Sequence, residues 1–162
     1  MVIETSRLST AQWVLERQLA WITLADAKVG AVVTISLAML GGLGAAFSAN
    51  PTRSQWTILF STVAAILLVA SLICAACTLK PRLDGPPQSL LFFGRVAEFT
   101  NTFDYVMQFK DATPDGLLED WTQQIHRNAQ IAFKKHHWTL KAMIWSFIAA
   151  IFWVIAIGSF VK

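Results

Sequence analysis

Charge is absent from three stretches of this chain: Val29 to Thr52, Ser54 to Leu79 and Ala142 to Val161. A helix rising about 1.5 Å per residue needs about 20 apolar residues to cross the hydrocarbon core of a bilayer, and each stretch reaches that length. The pattern predicts membrane-spanning helices at about residues 29–48, 56–79 and 142–161. Helical periodicity also continues outside the spans. Leu15, Leu19, Ile22, Asp26 and Val29 recur at alternating steps of four and three, which is one stripe of a helix. Nothing breaks the chain between Leu8 and Gly41, so the helix over 8–28 is expected to run straight into the first span.

Asn50-Pro51-Thr52 reads as a turn, with Ser54 as the cap of the second helix. That helix is expected to end near Pro81, and Asp84-Gly85-Pro86-Pro87 is a breaker. From about Gln88 to Lys110 the positions Phe92, Val96, Phe99, Phe103 and Val106 keep the four-three spacing. With Arg95, Glu98, Asn101 and Asp104 on its other faces, this helix is too polar to span and must bury its phenylalanines against other helices. Thr113 and Pro114 open the last helix as cap and first residue. Its stripe of Leu118, Trp121, Ile125, Asn128 and Ala132 leads unbroken into the third span. Ala38, Gly42 and Ala46, with Gly41 and Gly44, predict a close helix contact or the glycine common in membrane helices. Trp56 and Trp138 fall where an interfacial belt would place them.

The fold class expected is an all-α integral membrane protein forming a single membrane domain over 1–162. Three transmembrane helices, the first and third extended into the cytoplasm, join one cytoplasmic helix, and residues 8–28 and 80–141 make a small helical bundle. Little apolar surface is available to such a bundle, so self-association into a homo-oligomer is expected.

Only 14% of residues are charged, well below the usual quarter, and the deficit lies in the spans. Net charge is +3, too slight to argue for a nucleic-acid partner. Its distribution says more. The first connection carries Arg53 alone, whereas the second carries Lys80, Arg82, Arg95, Lys110, Arg127, Lys134, Lys135 and Lys141. The positive-inside rule then places the second connection and the amino terminus in the cytoplasm and Lys162 outside. The polar first twenty-eight residues do not read as a signal peptide.

Catalytic patterns are absent. His126, His136 and His137 form no metal or triad motif, and there is no nucleophile elbow, phosphate loop or dinucleotide fingerprint. Cys74 and Cys77 form a C-x-x-C inside the second span, which reads as small residues in a helix seam rather than a metal pair. No enzyme activity, cofactor or metal is expected. Polar residues on apolar stripes are the better lead. Asp26 lies where water is scarce, and a carboxylate there needs a partner. Asn128 interrupts the last stripe, with Lys135 two turns further on. These residues make either a polar pair that fixes helix register or a ligand site at the cytoplasmic mouth of the bundle. Lys28, Lys134 and Lys135 lie near the inner surface and suit an anionic ligand as well as a topology signal.

Three segments carry a resemblance: Ala25-Asp26-Ala27-Lys28-Val29-Gly30, Leu91-Phe92-Phe93-Gly94-Arg95-Val96, and Ile131-Ala132-Phe133-Lys134-Lys135 with Leu140. In order and spacing the chain resembles the Pycsar effector transmembrane family, found beside a pyrimidine nucleotide cyclase in bacterial antiphage operons. The resemblance implies an effector in the bacterial inner membrane. It would sense cyclic CMP or cyclic UMP after infection and impair that membrane, causing abortive infection. By similarity Asp26, Lys28, Phe93, Gly94 and Lys135 match recurrent positions, while His136-His137 depart from the aromatic-arginine pair usual there. The candidate ligand-binding set is Asp26, Lys28, Phe93, Arg95, Asn128, Lys134 and Lys135. Lys28 and Lys135 would meet the phosphate, Phe93 the base, and Asp26 or Asn128 its polar edges. The partners implied are membrane lipid, a cyclic pyrimidine nucleotide, further copies of the chain and, functionally, the cyclase. The alternative is a non-enzymatic anchor or scaffold for a cytoplasmic partner.

Overall fold

The computed structural model describes residues 2–82 and 84–160, and side chains from residue 6 onward. All regular structure in these residues is helical: α1 (Val2–Ala49), α2 (Gln55–Leu79), α3 (Phe93–Val96), α4 (Thr102–Asp111) and α5 (Pro114–Phe160). Three of them, α1, α2 and α5, are long and apolar enough to cross a membrane. The predicted end of the third span at Val161, and Lys162, lie outside the described residues. The chain forms two compact units. One comprises Met1–Thr23 and Pro81–Phe133, the other Leu24–Lys80 and Lys134–Lys162; α1 and α5 contribute residues to both.

In the second unit, the spanning unit, the buried positions of α2 are Thr57, Ser61, Ala64, Leu68, Ser71, Cys74, Ala75 and Thr78. Apart from Cys74 they step by four and three, the repeat of a left-handed helix seam. Facing them are Val29, Val32, Ser36 and Leu43 of α1, and Thr139, Ala142, Ser146, Ala149 and Ala156 of α5. Most of these side chains are small. The large ones, such as Ile35, Ile66, Ile73, Phe147, Ile151 and Val154, point outward. Lipid tails are as apolar as leucine, so nothing drives large side chains inward, whereas small ones let the backbones approach.

Polar groups then lock the seam. The Ser36 hydroxyl lies 3.5 Å from that of Ser71 and 3.4 Å from that of Ser146. Ser71 also donates to the Ala142 carbonyl at 2.8 Å, so all three helices are joined. Trp153 Nε1 donates to the Met39 carbonyl at 2.8 Å, with its Cζ2 3.5 Å from the place a Cβ on Gly42 would occupy. Gly42 is therefore in close contact, but with a tryptophan. Gly41 and Gly44 border open space and Ala38 of the stripe is exposed, so the predicted small-residue contact does not run the length of that face. Trp138 packs partly buried against Val29, Val32, Cys74, Ala75 and Ala142. Trp56 is exposed at the start of α2.

The helix ends follow the predicted chemistry. Ser54 caps α2 by accepting from Thr57 N at 3.1 Å, and Thr113 accepts from Gly116 N at 3.1 Å at the start of α5. Arg53, the single charge in its connection, folds back to donate to the Asn50 carbonyl at 2.7 Å and to the Phe47 carbonyl. These are carbonyls at the end of α1, which have no acceptor role left within the helix.

In the first unit two expectations fail. The helix predicted over Gln88–Lys110 is two pieces, α3 and α4, separated at 97–101. Asn101 sits in the extended region at φ −127 and its side chain accepts from Phe103 N at 2.9 Å, so it starts a new helix instead of continuing the old one. The stripe from Phe92 to Val106 is consequently not one face, and Phe103 is 65% exposed. On α1 the buried residues are Ala11 and Gln18, while Leu19 of the predicted stripe is 47% exposed. On α5, Gln124 and Ala132 are buried, with Leu118, Trp121, Ile125 and Asn128 half-buried beside them.

Candidate functional site

Asp26 and Lys135 meet within the spanning unit. Lys135 Nζ lies 2.5 Å from Asp26 Oδ1 and 2.7 Å from Oδ2, so both carboxylate oxygens accept from one ammonium. The lysine side chain is only 12% exposed, against 37% for the aspartate. An ammonium so far out of water requires an opposite charge at hydrogen-bonding distance. Thr139 adds a hydroxyl bond to the Lys135 carbonyl at 2.8 Å. The pair therefore stitches α1 to α5, and an anion approaching Lys135 competes with Asp26 for its charge. Lys28 and Lys134 are exposed. Lys28 stands at the edge of an apolar groove of about 290 Å³ lined by Ala31, Val32, Ile35, Met39 and Phe147.

The other predicted residues, Phe93, Arg95 and Asn128, belong to the first unit. Phe93 is exposed, its ring centroid 4.8 Å from that of Phe92. Gly94 makes room for Phe92, since a Cβ there would lie 2.6 Å from the Phe92 ring. Asn128 donates to the Gln124 carbonyl at 3.0 Å, one turn back on its own helix. Arg95 Nη1 donates to Glu98 Oε2 at 2.5 Å. Of the seven residues proposed from sequence, Asp26 and Lys135 are the pair brought into contact among the described residues.

Arg95 opens onto a feature that sequence reading missed. A cleft of about 600 Å³ is bounded by Pro87, Gln88, Ser89, Leu90, Arg95, Glu98, Phe99, Gln108, Asp111 and Ala112. One wall is the segment 87–90, and α5 holds that wall in place. Asp120 Oδ2 accepts from Leu90 N at 2.8 Å and Leu91 N at 3.2 Å. Ser89 Oγ accepts from Leu91 N at 3.1 Å and Phe92 N at 2.8 Å, and Gln124 Nε2 donates to it at 2.9 Å. Tyr105 donates its hydroxyl to the Leu90 carbonyl at 3.1 Å. Upstream, Arg127 donates to the Asp84 carbonyl at 3.1 Å and pairs with its carboxylate, and Arg82 donates to the Ile131 carbonyl at 3.0 Å. A segment without helix or strand bonds of its own is thus ordered by side chains of α5. The one signal in the sequence was the four-residue spacing of Asp120 and Gln124, a polar pair flanking the apolar stripe.

Residues 10–161 match the family described as the Pycsar effector protein domain. The chain is also 27% identical over 132 residues to the Pycsar effector protein PtPycTM of Propioniciclava tarda, covering 76% of this chain and 65% of that relative's length. No solved structure matches. With a polar helical unit, three apolar helices long enough to span, and a family match over nearly its whole length, the chain belongs to the Pycsar effector protein domain family.

Proposed function

We propose that this protein is an antiphage membrane effector. In this reading its polar helices sense cyclic CMP or cyclic UMP, and its spanning helices impair the bacterial inner membrane, causing abortive infection. Family membership supports the effector role. The observation that carries the sensing model is helix continuity. At 48 and 47 residues, α1 and α5 are each continuous helices longer than a span requires, so each carries polar and spanning residues along one helix. A ligand held by side chains of the polar part acts on the same helices that cross the bilayer. It shifts them only as far as its affinity differs between the two states. The amino terminus and the second connection face the cytoplasm in this proposal, following the lysine and arginine distribution.

The test is dye release from vesicles containing the purified full chain. Addition of cyclic CMP or cyclic UMP should start leakage that cyclic AMP does not. Leakage that is equal with and without nucleotide, or absent under all conditions, overturns the sensor reading. A second reading, an anchor for a cytoplasmic partner, draws on the exposed Phe103, Met107 and Phe109 of α4. It predicts co-purification of a neighbour-encoded protein with no leakage. The same apolar residues favour homo-oligomer formation in the effector reading.

A further inference from the structure

Within the first unit, the cleft beside α3 and α4 holds a set of groups that the family comparison assigns to nothing. Its volume of about 600 Å³ falls in the ordinary range for small-molecule sites, about 300–1,000 Å³. Arg95 supplies a guanidinium, which can donate in parallel to two oxygens of a phosphodiester. Phe99 supplies a half-buried ring, held edge-on by Tyr105 at 5.4 Å between centroids, and aromatic faces stack any base. Gln88 and Gln108 each carry both donors and acceptors. Asp111 carries acceptors alone.

We infer that this cleft receives the cyclic nucleotide, with Arg95 on the phosphate, Phe99 against the base, and Asp111 selecting cytosine over uracil. The assignment rests on the proposed sensing function. The amides do not discriminate, because each can turn over to match either base edge. A carboxylate cannot turn into a donor. It accepts from the exocyclic amino group of cytosine, whereas uracil presents a carbonyl oxygen at the same position and repels it. Arg95 is paired through Nη1 with Glu98 at 2.5 Å, so that carboxylate repels the phosphate and competes with it for the guanidinium. Glu98 therefore weakens binding and sets the nucleotide concentration at which the site fills. The wall formed by Ser89 and Leu90 is tied to Asp120 and Gln124 of α5, so occupancy bears directly on that helix.

Isothermal titration of the detergent-purified full chain with cyclic CMP and cyclic UMP tests this. Cyclic CMP should bind about tenfold or more tightly than cyclic UMP, and Arg95→Ala or Phe99→Ala should weaken it about tenfold or more. Asp111→Asn, isosteric and exposed, should bring the two affinities together. Glu98→Gln should bind cyclic CMP more tightly than the unaltered chain, which a merely structural role would not produce. If the unaltered chain binds nucleotide and all four variants match it, the cleft assignment falls while the sensing reading stands. A preference for cyclic UMP overturns the role of Asp111. Binding of neither nucleotide by the unaltered chain overturns the sensing reading and this inference together.

Discussion

The ammonium of Lys135 is shared between both carboxylate oxygens of Asp26, 2.5 and 2.7 Å away, across helices that are far apart in sequence. Because the lysine is nearly buried and the aspartate partly exposed, the pair lies between the surface and the buried regimes. Asp26→Asn and Lys135→Met should each destabilise the spanning unit, and the double variant should cost less than the sum. A coupling of about 1–3 kcal/mol is expected, kept modest by solvent at Asp26. Thermal unfolding in detergent of the four proteins in the cycle measures it, and strict additivity would show the contact to be energetically idle.

The serine cluster makes a second expectation. Ser71→Ala removes a donor to the Ala142 carbonyl and a contact with Ser36, at a cost of about 0.6–1.7 kcal/mol, from the average to the upper end for such bonds between membrane helices. Ser71→Leu inserts bulk into a position that is fully buried and should cost more, about 1–3 kcal/mol. Chemical denaturation in mixed micelles ranks the two, and a leucine variant as stable as the unaltered chain would mean the seam is not closely packed.

Asp120 predicts a local effect. Replacing it with Asn removes the charge that accepts from two backbone amides, worth about 1.5–3 kcal/mol to the segment. Amide exchange at Leu90 and Leu91 should quicken by about tenfold or more while α2 is unchanged. Unchanged exchange would show that the segment is held by Ser89 and Tyr105 without it.

Gly94 predicts a steric one. In Gly94→Ala the new methyl meets the Phe92 ring at 2.6 Å, and the ring must move. A loss of about 1–3 kcal/mol is expected, recovered in part by Phe92→Leu. Unfolding of the single and double variants decides it, and a Gly94→Ala protein as stable as its parent would show the ring to be free to turn aside.

Topology has its own check. A cysteine introduced at Thr52, in a chain lacking Cys74 and Cys77, should react with an impermeant thiol reagent from outside intact cells. One at Ala112 should react only after lysis. The reverse pattern would invert the charge-based orientation.

Where the helices begin was legible because caps are local. Ser54 and Thr113 each accept from an amide three residues on, Pro114 fills a first helical position where no N–H is needed, and the structure uses all three as read. Asn101 is the same chemistry overlooked, since a regular spacing of phenylalanines concealed a cap in the middle of the run. The buried face of α1 was read only in part. Val29 of the predicted stripe is fully buried, but nearer the amino terminus Ala11 and Gln18 are covered and Leu19 is exposed, because periodicity gives the repeat of a stripe and not which flank of it meets a neighbour. Of the candidate site, the Asp26–Lys135 relation was within reach because both residues interrupt apolar stripes. The cleft at Arg95 was not, because it assembles from a coil segment and two short helices.

What the amino-acid order determined by itself was the number of helices long and apolar enough to span, the capped starts of α2 and α5, and the connection in which the cations cluster. Each depends on chain length, local capping or net transfer into hydrocarbon, all of which are properties of contiguous residues. Only the tertiary structure decided which face of each helix is covered, that Lys135 is already neutralised by Asp26, and that Asp120 and Gln124 shape a cleft wall. Those outcomes are set by packing and by pairing of groups distant along the chain, where geometry selects one partner among many of similar chemistry.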